Sequence, residues 1–455
     1  MPELAAKRSR EFINKATSQA EEDAYDPVKY RTDCKFTSLT GSIGHIVKAA
    51  LGGGILTGHV AYMKAGIYAA IPLNIVFGVY MGYCLYLLVQ SAQIIYKRAY
   101  IPYLSYSDVG EATCLMCSFP SFRKFARPAR YTIDVLISLE LFGACCCYQI
   151  IIAKTLKQLI ENTYVTKMEG SYEGYPGLRI YIALMMPLVI AICLIRHLKY
   201  LAPFSLLGNF VIVLCIITAI TYAFEFNPGF KDMAGFTTPF ETFEMIGMTV
   251  FGMSCVGIVI PVEGNMRHPK KFPCAMATGM SLIVMCLCSL SFFGYAAFGE
   301  YCESPITMNF PMRLWPKILK GTIGVMVYVT HALNFWAPFN MWFYYIKKKF
   351  SAERVVFWEL VWRAIFVTVI GILAILFPDI NALMGFIGTF CLSNMAFIWP
   401  NVINLLLVWD RPGLGKYKWR LWRSVILIII GLFIFVCGTL VNGTVLLNVF
   451  MNLVN

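Results

Sequence analysis

Charged residues are scarce in this sequence: Asp, Glu, Lys and Arg make up 14% of 455 residues, whereas soluble domains contain about 25%. Hydrophobic residues make up 58% of the chain. This composition argues against a soluble multi-domain enzyme and predicts a membrane domain. The formal net charge of +13 does not indicate nucleic-acid binding, because the basic residues lie in short clusters between apolar segments.

The sequence also lacks the common motifs of enzymes and of nucleotide-driven pumps. It contains no P-loop, no HExxH and no nucleophile elbow. Of its 16 cysteines, only Cys302 falls in a predicted outer loop, which argues against an external disulfide framework. Cys114 and Cys117 form a CxxC without a second pair, so chance explains this spacing better than zinc. We therefore predict that the protein is not an enzyme and needs no cofactor or metal.

Long apolar segments define the predicted organisation of the chain. Residues 1–40 mix acids and bases, contain no visible signal peptide, and predict a cytoplasmic tail. Residues 41–455 form the predicted transmembrane domain. Eleven segments, each near the length of about 20 residues that spans a bilayer, lie at 43–63, 67–95, 131–157, 180–196, 201–224, 245–262, 275–298, 318–345, 358–377, 383–408 and 424–442. The fold class is therefore predicted to be an all-α polytopic membrane protein.

Lys and Arg are distributed unequally between alternate loops. They cluster after the second, fourth, sixth, eighth and tenth segments, for example in residues 97–130 and 263–273. The opposite loops, including 161–178 and 299–312, are poor in bases and richer in acids. Because basic loops remain in the cytoplasm, this pattern predicts a cytoplasmic N-terminus and a C-terminus on the other side.

Two of the apolar segments are interrupted. The first contains three consecutive glycines, Gly52, Gly53 and Gly54, and each costs up to about 1 kcal/mol relative to Ala in a helix interior. The sixth contains Gly247, Gly252, Gly257 and Pro261. Since five spans separate the two interruptions, spans 1–5 and 6–10 are predicted to be inverted repeats with a binding site between the broken helices. The alternative is that these glycines only allow close helix packing.

Several motifs carry a family resemblance. KAALGGGILTGHVAYMKAG is similar to KGxxGTGLLGLPxAxKxAG, PVEGNMRHPKKFP to PxENxMxxPxxFP, and THALNFWAP to TYALQFYVP. Because such matches occur in order over nearly the whole chain, it resembles the amino acid/auxin permease family, specifically the proton-coupled amino acid transporters of animals. The resemblance implies a five-plus-five inverted-repeat fold with an added eleventh span. Two positions depart from the family: His59 replaces a proline, and Ser254 replaces an acidic residue.

An amino acid substrate requires partners for a carboxylate and an ammonium group. A helix that starts inside the membrane offers unpaired N–H groups and the positive end of its dipole. The predicted carboxylate ligands are therefore the backbone amides of Gly52, Gly53, Gly54, Ile55 and Leu56. The predicted ammonium ligands are the carbonyl groups of Phe251, Gly252 and Met253, together with the hydroxyl of Ser254.

Three ionisable residues are candidates for proton coupling. His45 lies in HIVKA, where the family has HLLKG, and the resemblance implies a role in coupling; the alternative is a neutral, hydrogen-bonded histidine. Glu140 lies in the middle of the third span, where a carboxylate should be paired or protonated. It could replace the acid missing at Ser254, pair with His59 or His331, or bond to a neighbouring helix in its protonated form. His59 is the third candidate.

These features predict a secondary active transporter that moves small neutral amino acids with a proton by alternating access. Its expected partners are the amino acid, the proton and the lipid bilayer, without nucleic acid. The expected location is the plasma membrane or the membrane of an endosome or lysosome. The alternative function is a membrane amino-acid sensor with little or no transport, as the departures at His59 and Ser254 suggest.

The loop charges lead to a test of topology. In a background without reactive native cysteines, Lys270→Cys should resist an impermeant thiol reagent on intact cells and react after permeabilisation, because its loop is predicted to be cytoplasmic. Glu300→Cys, in a predicted outer loop, is the matched control and should react on intact cells. Labelling of Lys270→Cys before permeabilisation would contradict the orientation.

Overall fold

The computed structural model describes residues 25–31, 36–162, 176–196, 202–231, 233–351 and 353–454. Within these ranges the regular structure is helical, and the extended pairing is an isolated bridge between Thr37 and Met266. The predicted cytoplasmic tail lies largely outside the described residues, as does most of the predicted outer loop 161–178. The described part of the chain therefore confirms the predicted all-α class.

The α-helices are numbered here in chain order. The first seven are α1 Leu39–Ala50, α2 Gly58–Ala65, α3 Ile67–Ala99, α4 Tyr106–Met116, α5 Ala126–Glu161, α6 Leu178–Cys193 and α7 Ala202–Phe226. The remaining eight are α8 Pro239–Gly252, α9 Val259–Gly264, α10 Phe272–Phe298, α11 Leu314–Ile346, α12 Val355–Leu376, α13 Ile380–Ile387, α14 Trp399–Val408 and α15 Trp419–Val454. A π-helix, Gly388–Ile398, joins α13 to α14.

Within the described residues, nine helices are long and apolar enough to cross a membrane. The bent pair Leu39–Ala50 and Gly53–Ala65 raises this number to ten when it is counted as one span. The fourth predicted span corresponds to α6, which has 16 residues and is shorter than the usual span of about 20. The structure thus supports a multi-pass membrane protein, while the count of eleven spans stays a prediction.

The first predicted interruption is present. α1 begins at the hydroxyl of Ser38, which accepts a hydrogen bond from the Gly41 N–H at 3.2 Å, and it ends at Ala50. Gly52 has an extended backbone, and the chain then continues as the 3₁₀ turn Gly53–Thr57 before α2. The two halves are bent by 48°. A broken first helix therefore forms at the triple glycine, as predicted.

The sixth span is also discontinuous. α8 starts with a capping box between Thr238 and Glu241, and it ends at Gly252. Regular α-helix resumes at Val259, after the 3₁₀ turn Val256–Ile258. The two breaks face one another so closely that a Cβ on Gly54 would lie 3.0 Å from the Gly252 Cα. This close backbone approach favours glycine at position 54, because a side chain there would need the Gly252 backbone to shift by a few tenths of an ångström.

Another glycine of the sixth span serves packing. A Cβ on Gly247 would lie 2.3 Å from the carbonyl oxygen of Gly385 in α13. A Cβ on Gly388 would lie 2.0 Å from the Gly247 carbonyl oxygen. The alternative explanation of close helix packing is therefore correct at Gly247, where α8 crosses the start of the tenth span backbone to backbone.

This crossing predicts a loss of stability for Gly247→Ala. The new methyl group must push apart two backbones, and overpacking of this kind costs on the order of 1–3 kcal/mol. Gly321→Ala in α11 is the matched control, because an added Cβ there meets no atom within 4 Å. Thermal unfolding of the purified protein should show a lower midpoint for Gly247→Ala only. Equal midpoints for both variants would contradict the crossing.

Candidate functional site

A cavity of about 430 Å³ lies beside the two helix breaks, within the range of about 300–1,000 Å³ found for small-molecule sites. Its walls come from α1, α5, α7, α8, α9 and α11, together with both breaks. Most of the lining is apolar. Polar groups that converge on it include Glu140, Tyr148, Asn209, Ser254, Thr330 and Asn334. This combination of apolar walls and a few polar groups is typical of a ligand site.

The cavity is open towards one side of the helix bundle. Glu140, deep in its wall, is 8% exposed, whereas His45 and Asn265 further along the lining are exposed. Asn265 follows α9 directly and belongs to a loop that is predicted to be cytoplasmic. On the opposite side, residues 306–310 are buried. The structure therefore has the cavity open towards the predicted cytoplasmic side.

Only some of the predicted carboxylate ligands line the cavity. Gly52 and Gly54 line the cavity. Gly53 faces the ring of Tyr148, whose Cε1 would lie 2.5 Å from an added Cβ. The side chains of Ile55 and Leu56 are buried at 1% and 0% exposure, so only their backbone groups could serve a ligand.

Tyr148 was missed by sequence reasoning. Its hydroxyl oxygen lies 3.2 Å from the position of a Cβ on Gly52, and it accepts a hydrogen bond from Asn334 Nδ2 at 3.2 Å. The hydroxyl is therefore held at the edge of the first break. The available signal was a polar group at the end of the apolar run ACCCY in the third span. Lys48, which also lines the cavity, was likewise not predicted.

Of the predicted ammonium ligands in the second break, too, only some line the cavity. Phe251 and Ser254 line the cavity. Gly252 packs against Gly54, and Met253 is fully buried. The carbonyl of Phe251 already accepts hydrogen bonds from the Ser254 N–H at 3.2 Å and from the Met253 N–H.

Glu140 reaches the second break from α5. The Ser254 hydroxyl donates a hydrogen bond to Glu140 Oε1 at 3.1 Å. Of the partners considered from the sequence, Ser254 is thus the one in contact with Glu140. His331 lies elsewhere: its Nε2 is 3.2 Å from Gln149 Nε2, and its Nδ1 is 3.5 Å from Cys193 Sγ. A carboxylate from the third span therefore reaches the gap in the sixth span at Ser254.

The two histidine candidates occupy different places. His45 lines the cavity on α1, five residues before that helix ends. His59 is fully buried in α2, and its Nε2 lies 2.9 Å from the carbonyl oxygen of Glu303. His59 thus contacts the segment that precedes α11, on the closed side of the protein. His45 and Glu140 share one cavity, whereas His59 belongs to a separate contact.

Two discontinuous helices around a central cavity in an α-helical membrane bundle are the architecture of a secondary transporter. A profile of the family described as "Transmembrane amino acid transporter protein" matches residues 35–442. The chain therefore belongs to the transmembrane amino acid transporter family, as its motifs predicted.

Two relatives are similar over most of the chain. "Proton-coupled amino acid transporter-like protein pathetic" of Drosophila melanogaster is 31% identical over 428 residues, which are 92% of this chain and 86% of the relative. "Amino acid transporter AVT3C" of Arabidopsis thaliana is 23% identical over 412 residues, which are 88% of each chain. Both are named as transporters, a class distinct from enzymes.

Two solved structures have a similar fold. MhsT in complex with L-phenylalanine gives a TM-score of 0.52 at 14% identity and covers 89% of this chain and 99% of its own. Mhp1, a nucleobase-cation-symport-1 family transporter, gives a TM-score of 0.50 at 11% identity and covers 92% of each chain. The fold class is therefore that of the inverted-repeat transporters, as predicted.

The first break can be tested by substitution. Gly53→Leu should abolish amino acid binding, because the side chain would displace the Tyr148 ring that lies against this glycine. Gly44→Leu on α1 is the matched control, since an added Cβ there meets no atom within 4 Å. Binding to purified protein, with size-exclusion chromatography as the check on folding, measures the difference. Unchanged affinity in Gly53→Leu would mean that the glycines serve packing alone.

Proposed function

We propose that this protein is a secondary active transporter that moves small neutral amino acids together with a proton by alternating access. The observation that carries the proposal is the cavity between the two helix breaks, into which Glu140 and Ser254 bring a carboxylate and a hydroxyl. The family supports an amino acid as substrate. The name of the Drosophila relative supports proton coupling.

The proposed binding mode places the zwitterionic end of the substrate between the breaks. Its carboxylate would accept hydrogen bonds from the Tyr148 hydroxyl and from amides of the first break after Gly52, whose own N–H already donates to the Ala50 carbonyl at 2.7 Å. The dipole of the following helical turn would add a favourable field. Its ammonium group would face the Glu140 carboxylate and the Ser254 hydroxyl.

The rest of the cavity supports a neutral side chain. Ile137, Ala144, Val256 and Leu333 contribute apolar surface to the lining, and transfer of apolar groups onto such walls is favourable. A charged substrate side chain would lose its hydration there without an equivalent partner. The volume of about 430 Å³ suits a small amino acid with associated water.

Proton coupling requires a group that changes charge during the transport cycle. A zwitterion carries no net charge, so a pH gradient can drive its uptake only through a titrating residue of the protein. We assign this role to Glu140 or His45, because both line the cavity and both types of side chain exchange protons. His59, the third candidate, lies outside the cavity, on the closed side of the protein.

The asymmetry of the observed state supports alternating access. We propose that spans 1 and 6 rock against the rest of the bundle, with spans 1–5 and 6–10 as inverted repeats and span 11 outside the repeat. The observed opening lies on the side that the loop charges predict to be cytoplasmic. The protein would reside in the plasma membrane or in an endosomal or lysosomal membrane, with its N-terminus in the cytoplasm.

An amino-acid sensor is the second candidate function, and one observation favours it. Arg31, before the first span, forms a buried ion pair with Glu263 of α9 at 3.2 Å. The Thr37 N–H donates to the Asn265 carbonyl at 2.7 Å, and both Thr37 and Asn265 line the cavity. A change in the sixth span on ligand binding would therefore reach the N-terminal segment directly.

Uptake into liposomes tests the proposed function. The purified full-length protein should accumulate labelled neutral amino acids when a pH gradient is imposed, and Glu140→Gln or His45→Ala should lose this response while retaining some substrate binding, because neither replacement side chain titrates. Glu300→Gln, at an exposed acid away from the cavity, is the matched control and should accumulate substrate like the unmodified protein.

The pattern of loss identifies the proton carrier. If only His45→Ala loses pH-driven uptake, the histidine is the carrier; if only Glu140→Gln loses it, the carboxylate is. Accumulation in both variants would contradict both assignments. Binding without accumulation in the unmodified protein would favour the sensor.

A further inference from the structure

Arg423 is a charged residue held between helices near the start of α15. It follows Trp422, which is 62% exposed, and exposed tryptophans at the end of a span are typical of the membrane–water interface. Arg423 Nη2 donates to Asn404 Oδ1 of α14 at 2.7 Å, and Nη1 donates to the Tyr83 hydroxyl of α3 at 3.3 Å. The guanidinium group therefore joins three helices at the boundary of the bilayer.

The charge of Arg423 has no carboxylate partner in the described part of the chain. Its hydrogen bonds go to neutral hydroxyl and amide groups, and its Nε is buried without a hydrogen-bond partner among the described residues. Arg420, one helical turn earlier, donates to the Gly413 carbonyl at 2.7 Å. Both guanidinium groups lie against the ring of Trp419, at 5.2 and 5.7 Å from its centroid.

This arrangement favours an anion from outside the protein. Like charges on adjacent helical turns repel each other, and a charge at membrane depth is normally paired. The three helices that surround Arg423, namely α3, α14 and α15, contain no Asp or Glu. The pair formed by Arg420 and Arg423 is therefore a positive centre that its own helices do not neutralise.

One edge of the Arg423 guanidinium is open. Nη2 is directed inwards to Asn404, whereas the contact between Nη1 and Tyr83 is exposed. Nη1 keeps a second hydrogen, and the Tyr83 hydroxyl, which accepts from Nη1, keeps its own hydrogen to donate. Two donors side by side can bind two oxygens of one phosphate, as bidentate arginine contacts do.

The two helices at this edge continue as apolar surface. The Tyr80 hydroxyl donates to the Leu427 carbonyl, so α3 and α15 pack side by side next to the edge formed by Tyr83 and Arg423. The exposed apolar residues that follow on these helix faces are Val76, Val79, Ile426 and Ile430. Acyl chains could therefore lie along the helices while a phosphate binds at their cytoplasmic end.

The loop before α15 would select the charge of the headgroup. Residues 411–423 contain five bases and no acid, and Asp410 is the one acid in residues 380–454. Lys416 and Lys418 are exposed. Such a field attracts anionic lipid and opposes the choline or ethanolamine cation that a zwitterionic headgroup carries beside its phosphate.

We propose that Arg423, Tyr83 and Arg420 form a binding site for an anionic phospholipid in the leaflet on the predicted cytoplasmic side. The lipid phosphate binds at Arg423 and Tyr83, and the acyl chains lie along α3 and α15. The site shares no lining residue with the cavity at the helix breaks, and the proposal does not rest on the proposed transport function.

Native mass spectrometry of the purified full-length protein in neutral detergent tests the charge selectivity. The unmodified protein should retain one phosphatidylserine at concentrations where phosphatidylcholine binds several-fold less. Arg423→Gln should lower phosphatidylserine occupancy about ten-fold, as expected for the loss of a charge-assisted hydrogen bond. Arg354→Gln, at an exposed arginine of the loop before α12, is the matched control and should bind like the unmodified protein.

Tyr83→Phe tests the second donor without removing a side chain from the packing. The ring of Tyr83, whose centroid lies 5.9 Å from the Arg423 Cζ, is retained, whereas the hydroxyl is lost. Phosphatidylserine occupancy should fall several-fold. Tyr68→Phe, at an exposed tyrosine near the opposite end of the same helix, is the matched control and should leave occupancy unchanged.

Equal occupancy by the two lipids in the unmodified protein, or unchanged phosphatidylserine occupancy in Arg423→Gln, would overturn the proposal. Glycerophosphoserine, the water-soluble headgroup, should compete only at far higher concentration, because it lacks acyl chains. Competition at equal concentration would also overturn the proposal, since the ligand would then be a free phosphate ester. Size-exclusion chromatography of each variant excludes misfolding as the cause of lost binding.

The measurement requires neither substrate nor transport. Failed uptake into liposomes together with selective lipid binding would contradict the proposed function and support the lipid site. Successful uptake without lipid selectivity would have the opposite meaning.

Discussion

Backbone groups that leave a helix inside a bilayer find no water, so they must face protein or a polar cavity. In this protein the two breaks satisfy that requirement together, because they meet at Gly54 and Gly252 and other residues of each break, Gly52 and Ser254 among them, line one cavity. A side chain at Gly54 would press on the Gly252 backbone, since its Cβ would lie 3.0 Å from the Gly252 Cα. The cavity beside the breaks, the placement of Glu140 and the position of α2 are all arranged around this contact.

The two ends of the broken first span are attached to different parts of the protein. The segment before α1 is held to the end of the sixth span by the ion pair of Arg31 with Glu263. At the other end, α2 contacts the loop before α11 through His59 and the Glu303 carbonyl. Movement at the breaks would therefore change the contacts at both ends of the first span. This mechanical connection is what a transporter and a sensor have in common, and only accumulation of substrate distinguishes them.

The fold was largely predictable from the sequence, because the signals that specify it are local. Apolar segment length gives the spans, the triple glycine gives the first break, and the pattern of Gly252 to Pro261 gives the second. The prediction was least secure at α6, whose 16 residues fall short of the usual span. It was ambiguous at Gly247, where sequence offers no distinction between a glycine that opens a site and one that lets two helices cross.

The candidate site was only partly predictable, because it joins residues far apart in the chain. The sequence by itself determined that a carboxylate, Glu140, lies within the third apolar segment and that a serine, Ser254, lies within the interrupted sixth. Tertiary structure alone decided that Glu140 reaches Ser254, that Tyr148 covers the first break, and that His59 turns away to the loop before α11. Helical periodicity limits which face a residue occupies, but packing between helices decides which face meets which.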